Sequence, residues 1–117
     1  MLKVFLVEDE SLIREGLRDE IPWEQYGFRF AGEAADGEMA LPLIRKTRPD
    51  VLITDIKMPF MDGLSLSKVV HMELPKTKIV NISGYDDFEY ARQAIEVGVD
   101  QYLLKPITRQ AMRKTLL

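Results

Sequence analysis

The stretch VLITDIKMP, residues 51–59, places four apolar or β-branched residues directly before the carboxylate of Asp55. Such a run, followed by a proline, predicts a short buried strand that ends where the chain becomes charged. An aspartate after a strand is most often a helix cap or a turn former, and Asp55 taken alone favours that structural role. A chemical role for Asp55 therefore requires partner residues elsewhere in the sequence.

The rest of the chain continues this pattern, because short apolar runs alternate with helical patterns five times. Strands are predicted at residues 2–7, 28–33, 51–54, 78–82 and 101–104. Helices are predicted at residues 12–21, 37–46, 64–74 and 108–116, and a further helix, capped by Asp86 or Asp87, is predicted to end at Val97. Strands that alternate with helices in this way are typical of an α/β fold built on one parallel sheet.

Three residues carry finer predictions about the helices. Pro42 lies inside the second helical pattern, where it removes an intrahelical hydrogen bond, so it predicts a kink or a late start. Gly98 is well placed to end the fourth helix in a left-handed conformation. Thr108 is a suitable N-cap for the last helix, because its hydroxyl can accept a hydrogen bond from the first turn.

The composition is that of one compact domain. The chain has 117 residues, of which 46% are hydrophobic and 30% charged, and a net charge of −3. The absence of cysteine excludes disulfides, thiolate–metal sites and thiol nucleophiles, and it suits a reducing cytoplasm. MLKVFLV is too short for the core of a signal peptide, no window has the length of a membrane span, and the mixed charges favour neither nucleic acid nor a membrane as a partner. We therefore expect a cytoplasmic domain that itself binds neither.

Charged and polar side chains follow four of the predicted strands. They are Glu8 and Asp9 after the first, Asp55 after the third, Ser83 after the fourth and Lys105 after the fifth. Ligands of parallel sheets gather at the carboxyl ends of the strands, and a group of acids there is stable as anions only with a cation among them. Mg²⁺ prefers such oxygen ligands together with a phosphate. The pattern predicts a phosphoryl-transfer site, in which Asp55 is the nucleophile and Lys105 and the metal neutralise charge.

Four short motifs contain these residues: VEDE with Glu8 and Asp9, DIKMPFMDG with Asp55, ISG with Ser83, and YLLKP with Lys105. In this order they resemble the receiver domain of a two-component response regulator, and the resemblance covers residues 1–117. It implies a doubly wound (βα)5, flavodoxin-like fold, in which helices cover both faces of a five-stranded parallel sheet. It also implies a signalling switch rather than an enzyme, since the only catalysis would be its own phosphoryl gain and loss.

The resemblance further implies a phosphoacceptor and a set of metal ligands. Asp55 would accept a phosphoryl group from a sensor histidine kinase. Mg²⁺ would be held directly by Asp9, Asp55 and the backbone carbonyl of Lys57, and Glu8 would assist through water. Glu8 replaces the commoner aspartate of the family, which keeps the chemistry but lengthens the side chain.

Four more positions receive roles from the same resemblance. Ser83, in place of the commoner threonine, and Lys105 would contact the phosphoryl group after transfer. Tyr102 would move inward as Ser83 moves, and Gly84 would leave room for the phosphodonor. The peptide bond between Lys105 and Pro106 would be cis.

Two longer stretches resemble receivers that are joined to AraC-type DNA-binding domains. They are IPWEQYGFRFAGEAADGEMAL, which contains Trp23, and SGYDDFEYARQAI, which contains residues 85–88. This resemblance implies that a DNA-binding output domain is absent from this chain and that the whole protein regulates transcription. The phosphorylated domain would form a homodimer through its fourth helix, fifth strand and fifth helix.

Most of these residues also have a structural interpretation. Glu8 and Asp9 could simply favour the positive amino end of the first helix. Three others could be ordinary residues of the fold: Lys105 a solvated turn residue, Ser83 a turn former and Tyr102 a strand aromatic.

Three other classes of protein with similar folds are alternatives. A flavodoxin-type electron carrier needs a hydroxyl- and glycine-rich loop after its first strand, and the sequence VEDES would repel the flavin phosphate. A haloacid-type phosphatase needs a second acid two residues after its nucleophile, where this chain has Lys57. A pseudo-receiver, which keeps the fold as an interaction module and never takes phosphate, stays open as the alternative.

Overall fold

The structure of the chain, a computed structural model, describes residues 1–84 and 88–117. Its strands are β1 (Leu2–Val7), β2 (Phe28–Ala34), β3 (Val51–Asp55), β4 (Lys78–Ser83) and β5 (Gln101–Leu104). Its α-helices are α1 (Ser11–Glu20), α2 (Gly37–Thr47), α3 (Gly63–Glu73), α4 (Phe88–Val97) and α5 (Arg109–Leu116), and a 3₁₀ helix covers Trp23–Tyr26. Among the described residues, no helix is long and apolar enough to cross a membrane.

All five strands form one parallel sheet in the order β2-β1-β3-β4-β5. The chain moves outward from β1 to β2, crosses back to β3, and then continues in the opposite direction. The connections after β1 and β3 therefore leave the sheet on different sides, which opens a crevice at the carboxyl ends of these strands. The predicted acidic residues lie at this crevice.

Alternate side chains of the central strands enter two separate layers of the core. Leu6 of β1 belongs to a cluster that includes Met112 of α5, together with residues of α1. Its neighbour Phe5 belongs to a second cluster with Ile44 of α2 and Leu66 of α3. Each large apolar side chain that is fully buried in these layers contributes about 1.5–3 kcal/mol to stability. The two layers confirm the doubly wound α/β fold with helices on both faces of the sheet.

Strands β2, β3 and β4 each extend one residue further than the sequence predicts, and the added residues of β3 and β4 belong to the predicted site. Asp55 is the last residue of β3 and pairs with Ile82 of β4, and Ser83 is the last residue of β4 and pairs with Leu104 of β5. The apolar pattern stops before these residues because their side chains are polar, whereas the backbone ladder continues through them. Both side chains are consequently held by the sheet rather than by a loop.

Two of the predicted helix boundaries are confirmed. The Thr108 hydroxyl accepts a hydrogen bond from the backbone N–H of Ala111 at 3.0 Å, as an N-cap does. Gly98 follows α4 with a φ of 95°, the left-handed conformation that glycine tolerates. The predicted cap at Asp86 or Asp87 lies outside the described residues.

Helix α2 runs through Pro42 without a delayed start. It begins at Gly37, and Asp36 caps it by accepting a hydrogen bond from the N–H of Met39 at 2.8 Å. The expected alternative of a late start is wrong, because this cap stabilises the first turn upstream of the proline.

Candidate functional site

Lys105 joins the carboxyl ends of three strands of the sheet. Its Nζ atom lies 2.8 Å from Glu8 Oε1, which follows β1, and 3.1 Å from Asp55 Oδ2 at the end of β3. The contact with Asp55 has hydrogen-bond geometry, and the contact with Glu8 is an ion pair. The Lys105 side chain is 14% exposed and that of Glu8 is fully buried. These three residues, which the sequence places far apart, therefore form one buried charged cluster.

The backbone around Asp55 holds its carboxylate at the edge of the sheet. Asp55 Oδ1 accepts a hydrogen bond from the N–H of Ile56 at 2.9 Å, and the Thr54 hydroxyl donates to the Asp55 carbonyl at 2.9 Å. The loop to α3 then returns so closely that a Cβ atom on Gly63 would lie 1.9 Å from the Asp55 carbonyl oxygen. Only glycine fits there, so Gly63 is part of the support of Asp55.

The charges in this cluster do not balance. The pKa of Asp55 is raised to about 7, because burial and the neighbouring Glu8 carboxylate raise it by more than Lys105 lowers it. Burial opposes the charge on Lys105, but the carboxylates of Glu8 and Asp55 outweigh it, so its pKa lies above the usual value. The cluster thus holds a protonated lysine, and it carries an excess of buried negative charge once Asp55 is ionised.

The turn between β1 and α1 brings three carboxylates together. Oxygen atoms of Glu8, Asp9 and Glu10 lie within 4.8 Å of one another, and the N–H of Glu10 donates to Glu8 Oε2 at 3.1 Å. Glu10 is not among the predicted ligands, although it stands in the VEDE motif; its Oε1 lies 3.7 Å from Lys105 Nζ. Hard oxygen donors with an excess of negative charge fit a divalent cation such as Mg²⁺.

The other predicted residues lie around this cluster. Ser83 is buried at the end of β4, and its carbonyl accepts a hydrogen bond from the N–H of Lys105 at 2.8 Å. Gly84 is exposed, and a Cβ atom on it would lie 3.6 Å from Cδ of Lys105. Lys57 lies in the bend that follows β3, with its side chain exposed. The peptide bond between Lys105 and Pro106 is cis.

Tyr102 occupies a different environment from the charged residues. It packs with Ile56, Leu64 and Ala94, between β5 and helices α3 and α4. Its hydroxyl oxygen is buried and has no hydrogen-bond partner within residues 1–84 and 88–117. The sequence can identify this aromatic residue but not its apolar surroundings.

The stretch around Trp23 has a structural explanation. The indole is buried, and its Nε1–H donates to the Arg18 carbonyl at 3.1 Å while the ring packs against Phe30 with centroids 5.9 Å apart. Of the second AraC-like stretch, residues 85–87 lie outside the described part of the chain.

Comparisons with known proteins agree with this fold. The response regulator receiver domain model matches residues 4–117. The chain is 40% identical to the uncharacterized transcriptional regulatory protein YesN of Bacillus subtilis (strain 168), over 99% of this chain and 32% of YesN. It is 43% identical to the transcriptional regulatory protein HptR of Staphylococcus aureus (strain NCTC 8325 / PS 47), over 92% of this chain and 42% of HptR.

A solved structure extends the agreement to three dimensions. The REC domain of AraT, a response regulator from Geobacillus stearothermophilus, is 45% identical and superimposes with a TM-score of 0.91, over 98% of this chain and 89% of that chain. The chain spans only about a third to under half of the length of YesN and HptR. The match over residues 4–117 shows that this chain belongs to the response regulator receiver domain family.

Proposed function

We propose that this chain is a phosphorylation-activated switch in which Asp55 accepts a phosphoryl group from the phosphohistidine of a sensor histidine kinase. The observation that carries the proposal is the position of Lys105 Nζ, 3.1 Å from Asp55 Oδ2 and 2.8 Å from Glu8 Oε1. An ammonium group held beside a buried carboxylate can neutralise the charge of a phosphoryl group that arrives there. Catalysis is limited to the protein's own phosphoryl gain and loss.

The residues of the cluster would act in a fixed order. A carboxylate oxygen of Asp55 attacks phosphorus and forms the O–P bond, while the N–P bond breaks and its electrons return to the histidine of the kinase. Lys105 then pairs with the new phosphoryl oxygens, and Ser83 donates a hydrogen bond to one of them. Gly84, which is exposed beside Lys105, leaves space on the side from which the donor approaches.

Mg²⁺ is the cofactor that the acidic residues would hold. Asp9 and Asp55 would bind it directly, the Lys57 carbonyl would complete the set, and Glu8 would assist through water. When bound, it supplies positive charge that keeps Asp55 ionised and offsets the charge of the transferred group. Glu10 adds a further carboxylate to this region, within 4.8 Å of the oxygens of Glu8 and Asp9.

Phosphorylation would act through a change of packing. The phosphoryl group draws Ser83 and Lys105 inward, and Tyr102 packs beside β4 in the space that Ser83 leaves. To move such an equilibrium from mostly inactive to mostly active takes roughly 5 kcal/mol of differential stabilisation. Two charge-assisted contacts and the repacking of one aromatic ring are of that order.

The activated domain would dimerise through α4, β5 and α5, which we call the α4–β5–α5 face. Ile95 of α4 is 76% exposed and Leu104 of β5 is 49% exposed, so this face presents apolar side chains to a partner. The dimer would regulate transcription through an attached DNA-binding domain. The names of YesN and HptR, and their greater length, support that role.

Labelling with a small phosphodonor tests the acceptor role. Incubation with acetyl phosphate and MgCl₂ should add one phosphoryl group to the wild-type protein, and none when EDTA removes the metal. Asp55→Asn should abolish labelling, whereas Asp62→Asn, at the exposed N-cap of α3, should keep it. An unlabelled wild-type protein would favour the pseudo-receiver alternative, and labelled Asp55→Asn would assign the phosphoryl group to another residue.

A further inference from the structure

Helix α1 begins without the side-chain cap that helices α2, α3 and α5 have. Asp36, Asp62 and Thr108 accept hydrogen bonds from the first turns of α2, α3 and α5, whereas Glu10 makes no such bond at the start of α1. The turn that precedes α1 carries the proposed metal ligands Glu8 and Asp9. The N–H of Glu10, which donates to Glu8 Oε2, fixes part of this turn, and a further interaction must fix the rest.

Arg14 provides that interaction from the first turn of α1. Its Nη1 donates a hydrogen bond to the carbonyl of Glu8 at 2.7 Å, and its Nε lies 3.8 Å from Glu33 Oε2 on β2. The Arg14 side chain is only 20% exposed, so water competes weakly for these contacts. Arg14 thereby ties the turn to the neighbouring strand.

The contact of Arg14 is directed at the backbone between the two proposed ligands. The Glu8 carbonyl belongs to the peptide unit that links Glu8 to Asp9, and this planar unit sets the direction in which both side chains leave the chain. We propose that Arg14 is a positioning residue, which orients Glu8 and Asp9 for a divalent cation. This inference rests on the proposed function, because it takes these two acids as Mg²⁺ ligands.

Arg18 offers a matched control on the same helix. Its Nη1 pairs with Glu33 Oε1 at 2.7 Å, and its Nε pairs with Asp19, on the exposed side of α1. Both arginines thus contact Glu33, but the hydrogen bond to the Glu8 carbonyl is made by Arg14. Substitution of either one removes one positive charge and one contact with β2.

Charge and positioning predict opposite effects on metal affinity. Loss of a positive charge close to a cation site should, by itself, strengthen the binding of Mg²⁺. Loss of the hydrogen bond that orients the ligands should weaken it, on the order of tenfold for residues that support metal ligands. The sign of the change therefore separates the two explanations.

The test is a titration with MgCl₂, followed by the backbone amide signals of residues 8–10 in NMR spectra of the full chain. We expect Arg14→Gln to bind Mg²⁺ on the order of tenfold more weakly than wild type, and Arg18→Gln to stay within about twofold of it. In the metal-free protein, the amide signals of Asp9 and Glu10 should shift in Arg14→Gln and stay in place in Arg18→Gln.

Every outcome of this titration bears on the inference. Affinity of Arg14→Gln equal to or tighter than wild type would overturn it, as would equal weakening in both variants. If Arg14→Gln does not fold, Arg14→Lys takes its place: it keeps the charge but loses the forked geometry, so wild-type affinity in that variant would refute positioning. A wild-type protein that binds no Mg²⁺ would refute the proposed metal site itself, and this inference with it.

Discussion

Lys105 and the carboxylates of Glu8 and Asp55 form a largely buried cluster, although their charges do not balance. Two buried carboxylates, Glu8 and Asp55, face one ammonium group, and burial together with repulsion from Glu8 raises the pKa of Asp55 to about 7. Such a cluster lowers the stability of the folded chain unless a further cation is bound. A protein keeps an unfavourable buried charge where its chemistry needs one, which is the physical reason to assign function to this edge of the sheet.

Asp55→Asn should stabilise the metal-free protein. The pKa of Asp55 is higher in the folded state than its ordinary value of 3.8, so the folded chain binds this proton more tightly, and stability is lost as pH rises from about 4 towards 7. The asparagine variant avoids this loss. Thermal denaturation in EDTA should give a melting temperature above wild type by on the order of a few degrees at pH 8, and a smaller difference at pH 4.5.

The pH dependence is the decisive part of that comparison. A difference that is the same at both pH values would mean that the stabilisation comes from packing and not from ionisation. A less stable Asp55→Asn at pH 8 would contradict the raised pKa of Asp55.

The loop from β3 to α3 is the element that holds Asp55 in place. Gly63→Ala should destabilise the protein by about 2–4 kcal/mol, because its Cβ would lie 1.9 Å from the Asp55 carbonyl oxygen and would force the loop away. It should also slow labelling by acetyl phosphate. Urea denaturation and labelling rates measure the two effects.

Gly16 of α1 is the control for that substitution. A Cβ atom on Gly16 would come no closer than 4.0 Å to Glu20 Oε2, and alanine favours a helix, so Gly16→Ala should stabilise the chain by roughly 0.5–1 kcal/mol. Equal effects of the two substitutions would show that the β3–α3 loop adapts freely, and Gly63 would lose its supporting role.

The α4–β5–α5 face should associate only after phosphorylation. Ile95→Glu places a charge on its apolar surface and should abolish the dimer, whereas Met39→Glu, on the 62% exposed position of α2, should leave it intact. Sedimentation velocity before and after treatment with acetyl phosphate and MgCl₂ measures association. Dimerisation of phosphorylated Ile95→Glu would place the interface on another surface.

Tyr102 is the residue proposed to couple this face to Asp55. Tyr102→Ala should leave labelling largely intact but weaken phosphorylation-dependent association, because the aromatic ring is lost from the packing with Ile56 and Ala94. Tyr102→Phe keeps the ring and loses a buried hydroxyl that lacks a partner among the described residues, so it should associate like wild type. Unchanged association of Tyr102→Ala would remove Tyr102 from the switch.

For the molecule as a whole, the sequence predicts the strands and helices but not the contacts between distant residues. Apolar runs such as residues 51–54 and turn residues such as Gly98 are local signals, so the strands and most helix ends follow from them. The strand order β2-β1-β3-β4-β5 depends on contacts between distant residues, and it enters through resemblance to the family. The same distinction explains why the sequence predicts that β3 stops before Asp55.

The site shows a similar division. The motifs supply Glu8, Asp55 and Lys105, because each comes directly after a run of mostly apolar residues. The sequence does not identify Arg14 as a site residue, because a basic residue on an amphipathic helix is ordinary. Its hydrogen bond to the Glu8 carbonyl exists only in the folded chain. The neighbouring Glu10 has a signal in the VEDE motif, but its approach to Lys105 depends on the shape of the turn.

The central claim is that Asp55 carries the phosphoryl group, and it can be tested by locating that group chemically. Sodium borohydride reduces an aspartyl phosphate to homoserine, so the wild-type protein is treated with acetyl phosphate and MgCl₂, reduced, digested and analysed by tandem mass spectrometry. We predict homoserine at position 55, and none there when EDTA replaces MgCl₂. Homoserine at another aspartate, or an unmodified Asp55 in the fully treated protein, would contradict the claim.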